Sequence, residues 1–126
     1  MARHAFRSMQ EPPPSGPYSA AVSVGRLVFV SAQLPVDGRG AVVGGSAADQ
    51  AGRALDALGH QLRSTGLSLD TVASVTVYLV DPADTAAVDD VFAAIFTEPR
   101  PARTLVGVAW LPGGARLQIE AVAVRY

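Results

Sequence analysis

Apolar residues recur at two spacings along the chain, and each change of spacing marks an element boundary. Ala20–Val24 and Leu27–Ser31 are short runs of β-branched and small apolar residues, separated only by Gly25-Arg26. A two-residue connection led by glycine predicts a hairpin closed by a type II′ turn. From Ser46 the spacing lengthens. Ala47, Ala51, Ala54, Leu55, Leu58 and Leu62 fall three and four residues apart, which is the stripe of an amphipathic helix. Ser46 with Asp49 is close to a capping box, and Gly66 supplies the stop. Thr71–Val80 returns to β-branched residues and predicts a strand with Val75, Val77 and Leu79 on one face. Asp81-Pro82 ends that strand and opens a second helix, whose buried side carries Val88, Val91, Phe92, Ile95 and Phe96. Thr104–Trp110 and Ala115–Val124 predict two last strands around Leu111-Pro112-Gly113-Gly114.

The resulting order, β-β-α-β-α-β-β, predicts an α+β or α/β domain with a mixed sheet and two helices on one face. Residues 1–16 are poor in core formers and end in Pro12-Pro13-Pro14-Ser15-Gly16, which predicts a flexible N-terminal arm ahead of a single domain at 17–126. The other sheet face matters too. Strand 71–80 places Val72, Thr76, Tyr78 and Val80 there, and the last strand adds Val122 and Val124. Two helices cover one face only, so a second copy of the chain is the simplest cover for the other. An oligomer is expected.

Composition removes whole classes of chemistry. The 126 residues carry ten basic and eleven acidic side chains, a net charge of −1, so the clustered cations of a nucleic-acid footprint are missing. There is no cysteine, hence no disulfide framework, thiolate metal site or cysteine nucleophile. Every cation is an arginine, which also excludes Schiff-base chemistry on lysine. No apolar run approaches the ~20 residues of a membrane span, and Arg3 and Arg7 lead into no leader-like apolar stretch. A soluble cytoplasmic protein is expected. His4 and His60 form no metal motif and read as solvated surface residues, and Gly38, Gly40, Gly44 and Gly45 match no phosphate loop. No metal or cofactor is expected.

What remains is a set of polar residues in apolar strands. Glu120 lies within Gln118-Ile119-Glu120-Ala121-Val122, on a face otherwise carrying Val122 and Val124. An ionised carboxylate there is costly unless paired, so Glu120 is either half of a structural ion pair or a functional group. Arg103 precedes the apolar run Thr104–Val106, and Tyr18 and Ser31 stand at the ends of the first hairpin.

Taken in order, Gly16-Pro17-Tyr18-Ser19, Val30-Ser31-Ala32-Gln33-Leu34-Pro35, Pro101-Ala102-Arg103-Thr104 and Ile119-Glu120-Ala121-Val122-Ala123 resemble the RidA/YjgF family of reactive enamine/imine deaminases. The resemblance spans about residues 16–126 and includes the Ala-rich helix and the Val77-Tyr78-Leu79-Val80-Asp81 strand end. It implies a chorismate-mutase-like fold assembled as a homotrimer around a central barrel, with sites between subunits. The family's carboxylate-binding arginine falls on Arg103 and its water-holding glutamate on Glu120. Its site tyrosine and serine fall on Tyr18 and Ser31, and its main-chain contact on Leu105. The implied substrate is a 2-imino or enamine acid of the 2-aminoacrylate type, released as a 2-keto acid. Cofactors, nucleic acid and membrane have no part in it.

These residue types suit that chemistry. A guanidinium fork fixes a carboxylate bidentately, and a neighbouring carboxylate can polarise a water for attack on a C=N carbon. Imines hydrolyse without help, so modest acceleration suffices. Three departures from the family pattern touch the rim: Ala32 where glycine is usual, Asp89 where asparagine is common, and a short Thr97–Arg100 link. The alternatives are a pathway-dedicated imine- or enamine-processing member and a non-catalytic trimeric module binding small carboxylates. The ribonuclease or translation-inhibitor activity attributed to some relatives fits poorly with the charge.

Overall fold

The computed structural model describes residues 2–126. Strands β1 (His4–Phe6), β2 (Ala21–Val24) and β3 (Leu27–Gln33) precede helix α1 (Ala47–Ser64) and strand β4 (Val72–Leu79). Helix α2 (Thr85–Ile95), β5 (Ala102–Gly107) and β6 (Leu117–Val124) complete the chain. The strands form one mixed α+β sheet in the order β1-β2-β3-β6-β4-β5, with β4 and β5 the parallel pair.

Local chemistry accounts for most boundaries. Gly25 takes φ 58° in the two-residue link between β2 and β3, and among the described residues none other than glycine has positive φ. That combination suits a type II′ turn rather than type I′, which needs two such residues. Ser46 caps α1 with a complete capping box: its side chain accepts from the Asp49 amide, and Asp49 returns the bond to the Ser46 amide. At the other end the Leu67 amide donates to Leu62 O and the Gly66 amide to Arg63 O, with Gly66 at φ 84°. This is a Schellman close, and it requires glycine.

Both helices bury their stripes on one sheet face. Leu55, Leu58 and Leu62 from α1 and Val88 and Phe92 from α2 share a core with Val28, Val77, Leu117 and Ile119. Ile95, expected inside, is 39% exposed at the last turn of α2, whereas Phe96 just beyond the helix is buried as expected. The strand expected at Thr104–Trp110 begins earlier and ends at Gly107, because parallel pairing with β4 starts at Ala102. Trp110 lies outside it, 72% exposed.

The N-terminal segment corrects the sequence reading. Residues 4–6, expected to be part of a flexible arm, add a strand antiparallel to β2, and Phe6 packs against the core. The Ser8 amide donates to Gln61 Oε1 at 2.8 Å. Glu11, its side chain only 2% exposed, accepts from Arg53 Nη2 at 2.6 Å and lies 2.6 Å from His60 Nδ1. His60 is therefore largely buried in an ion cluster and is not a solvated surface residue. Backbone pairing and charge hold this segment down, and apolar periodicity registers neither.

The second sheet face carries no helix, and Val72, expected there, packs in the helix-side core because the β4–β6 register shifts between Val72 and Ser74. Register places Leu27 beside Val124 and Phe29 beside Val122, with Val24 and Val22 next to them on β2. Leu27 and Phe29 are 42% and 44% exposed.

Candidate functional site

Glu120 stands in the middle of β6, flanked by β3 and β4. On the β4 side its register partner is Thr76, and the Tyr78 hydroxyl reaches across the diagonal to donate to Glu120 Oε1. On the β3 side the ladder runs from Val30 opposite Ala121 to Gln33 opposite Ile119, so Ser31 and Ala32 together oppose Glu120. The extra residue makes a bulge, a device that re-aims side chains and loosens a ladder locally.

Electrostatics follow from that placement. Among the described residues no cation pairs with Glu120, and its partner is a phenol. The structural ion pair that the sequence left open is therefore not formed within the chain. The hydrogen bond to Glu120, then burial, then the carboxylate's charge push the Tyr78 phenol above its ordinary range. The sequence places Tyr78 on the uncovered face but does not single it out as a site residue. Its alternation with Val77 and Leu79 assigns it to the face of Thr76, but only the β4–β6 register brings it to Glu120.

Ser31 links this strand to the segment that carries Tyr18. The Ser31 hydroxyl donates to Ser19 O at 2.7 Å, which ties the bulge to the segment carrying Tyr18. Gln33 Nε2 donates to Ser31 O at 2.9 Å and braces the bulge from within. Tyr18 is 54% exposed and lines a cleft with Pro13, Pro14, Ala32, Gln33 and Leu34. The N-terminal segment thus forms one wall of this cleft.

Arg103 lies elsewhere. Its register partner is Val75, so it leaves β5 on the helix-facing side. Its Nη2 donates to Asp89 Oδ1 of α2 at 2.6 Å, and its guanidinium sits 5.0 Å from the Phe92 ring centroid. A second cleft is lined by Asp89, Phe92, Phe96, Arg100 and Arg103. Leu105 pairs with Val77, and its half-buried side chain rests on the core. Because β5 is an edge strand, one side of its backbone has no ladder partner in the sheet.

One chain therefore brings Tyr78 and the Ser31–Ala32 bulge to Glu120, ties the segment carrying Tyr18 to Ser31, and places Arg103 and Leu105 two strands away. Glu120 and Arg103 project from opposite faces, two strands apart. Among the described residues no group of three His, Cys, Asp or Glu side chains could hold a metal, and no helix is long and apolar enough to cross a membrane.

Comparison with known proteins supplies the relationship. Residues 8–125 match the family described as Endoribonuclease L-PSP. The chain is 38% identical to the 2-iminobutanoate/2-iminopropanoate deaminase of Capra hircus, over 99% of this chain and 92% of that protein. It is 37% identical to a RutC family protein of Pyrococcus abyssi, over 99% of each. The crystal structure of E. coli TdcF with bound serine superimposes with a TM-score of 0.90 at 33% identity, covering 98% of this chain and 99% of that one. With its six-stranded sheet, two helices and full-length similarity, the chain belongs to the Endoribonuclease L-PSP family, the YjgF/RidA family.

Proposed function

We propose that the protein hydrolyses reactive 2-imino and enamine acids of the 2-aminoacrylate type to 2-keto acids and ammonia, at sites formed where copies of the chain meet. The observation that carries this reading is Glu120: an acid on an otherwise apolar sheet face, held at Oε1 by Tyr78 and left without a cation. Its Oε2 has no hydrogen bond to any described residue, so it is free to hold a water. Similarity to the goat deaminase supports the same chemistry.

In this mechanism Arg103 takes the substrate carboxylate in its fork and fixes the C=N carbon. Leu105 contributes main-chain contacts from the edge of β5, and Tyr18 and Ser31 line the cleft. Water held by Glu120 attacks the imine carbon, forming the C–O bond while the C=N pair moves to nitrogen. Glu120 takes the water proton and passes it to that nitrogen. The hydroxyl proton of the resulting carbinolamine then passes to the nitrogen, the C–N bond breaks to release ammonia, and the C=O bond forms. Since Arg103 and Glu120 diverge within a chain, the arginine facing a given glutamate belongs to a neighbouring copy. A homotrimer, as in the family resemblance, provides such junctions.

The test generates 2-aminoacrylate or 2-iminobutyrate in situ with a pyridoxal-phosphate lyase and follows keto-acid release with and without the protein. Faster release is expected, and Arg103→Ala should remove the acceleration while leaving the melting temperature unchanged. Loss of a charge-assisted bidentate contact costs about 2–5 kcal/mol, roughly 30-fold or more in rate. Full activity in Arg103→Ala would take the arginine out of the site. A second reading, a carboxylate-binding module without turnover, draws on the serine held by TdcF. It predicts ligand binding with no faster keto-acid release.

A further inference from the structure

The guanidinium assigned to substrate already holds a carboxylate of its own. Arg103 Nη2 donates to Asp89 Oδ1 at 2.6 Å, and the two side chains, 27% and 52% exposed, come from separate elements, β5 and α2. Phe92 fixes the guanidinium from its flank at 5.0 Å. The other arginine of this cleft, Arg100, is likewise matched with an acid, Glu98. An incoming carboxylate therefore meets cations whose charge is balanced and, at Arg103, a donor already taken.

We infer that Asp89 is a specificity-determining residue: an internal carboxylate that competes with the ligand's carboxylate for Arg103 and raises the concentration at which acids bind. This rests on the reading of Arg103 as the carboxylate-binding group. Asp89 touches no reacting atom in that scheme. It acts by setting the free charge and free donors of the guanidinium. A ligand acid must displace Asp89 or share the fork with it, whereas a neutral ligand of the same shape gains nothing from Arg103's charge and meets no such competition. Asp89→Asn keeps the size and an acceptor oxygen for Arg103 but removes the competing charge.

The experiment measures binding of 2-oxobutyrate and of its neutral amide, 2-oxobutanamide, to wild type, Asp89→Asn and Arg103→Ala. Asp89→Asn should bind 2-oxobutyrate on the order of three- to fivefold more tightly, the range of a partly exposed ion pair, with the amide unchanged. Added salt should narrow that gain, since it screens the same interaction. Asp89 is half exposed, so an unchanged melting temperature is expected and confirms an intact fold. Equal or weaker 2-oxobutyrate binding in Asp89→Asn, while Arg103→Ala abolishes binding, would overturn the competition and leave the arginine's role standing. Undiminished binding in Arg103→Ala would overturn both.

Discussion

Tyr78 and Glu120 act as one unit, because a carboxylate on an apolar face is bearable only while something donates to it. Glu120→Gln keeps the shape and an acceptor for Tyr78, so its unfolding free energy should stay within about 1 kcal/mol of wild type. Turnover should fall about 100-fold or more if the charge polarises water, with 2-oxobutyrate still bound. A variant that melts early but turns over normally would return Glu120 to a structural role. The pH dependence has a definite sign. Tyr78 is held above its ordinary range by its bond to Glu120, by burial and by the carboxylate's charge, so the folded state keeps that proton after the unfolded state has lost it. The stabilisation is complete below about pH 10, the unfolded tyrosine value, and is lost as pH rises through the folded value. Spectrophotometric titration should show a late phenol that is absent from Tyr78→Phe, and the alkaline decline in stability should be shallower in that variant.

At the scale of elements, two kinds of local signal behaved differently. The α1 boundaries follow from side chains within a few residues of each end, Ser46 with Asp49 and Gly66 with Leu67, so they were legible in advance. Strand β1 was not. Its anchor is Glu11, whose partners Arg53 and His60 lie 42 and 49 residues away on α1. Nothing near Glu11 announces that pairing. Glu11→Gln removes a nearly sealed charge from between two partly buried partners and should cost about 1–3 kcal/mol of stability. Hydrogen exchange gives the sharper check, because the Ser8 amide bonded to Gln61 should lose protection while the centre of α1 keeps it. Equal protection in both proteins would show that backbone pairing alone holds the segment.

For the whole molecule, the uncovered sheet face sets the terms. Val22, Val24, Leu27, Phe29, Val122 and Val124 form one apolar surface across three adjacent strands. On a small domain a patch of this kind is what a second copy would cover, and we propose that it does so here. The proposed mechanism draws on a second copy as well, since Glu120 and Arg103 lie two strands apart in one chain. Sedimentation at micromolar concentration should give a mass near three chains. Phe29→Asp should shift that mass toward a single chain and abolish imine hydrolysis together, each half-site remaining folded. A soluble, fully active monomer would contradict the shared site.

By itself the sequence determined the elements whose information is local: the apolar stripe of α1 with its caps, the hairpin at Gly25, the helix that follows Asp81-Pro82, and the alternation of β6 and of β4 from Val75 onward. It also singled out Glu120, because one charge among alternating valines stands out before any fold is known. Tertiary structure alone decided which residues became neighbours. Register brought Tyr78 to Glu120, a bulge set Ser31 and Ala32 against the same carboxylate, helix packing set Asp89 on Arg103, and long-range charge drew Glu11 onto α1. The difference is physical. Helix caps and turns depend on dihedral angles and hydrogen bonds within a few residues, whereas strand register and ion pairing depend on where distant segments are carried when the shared core closes.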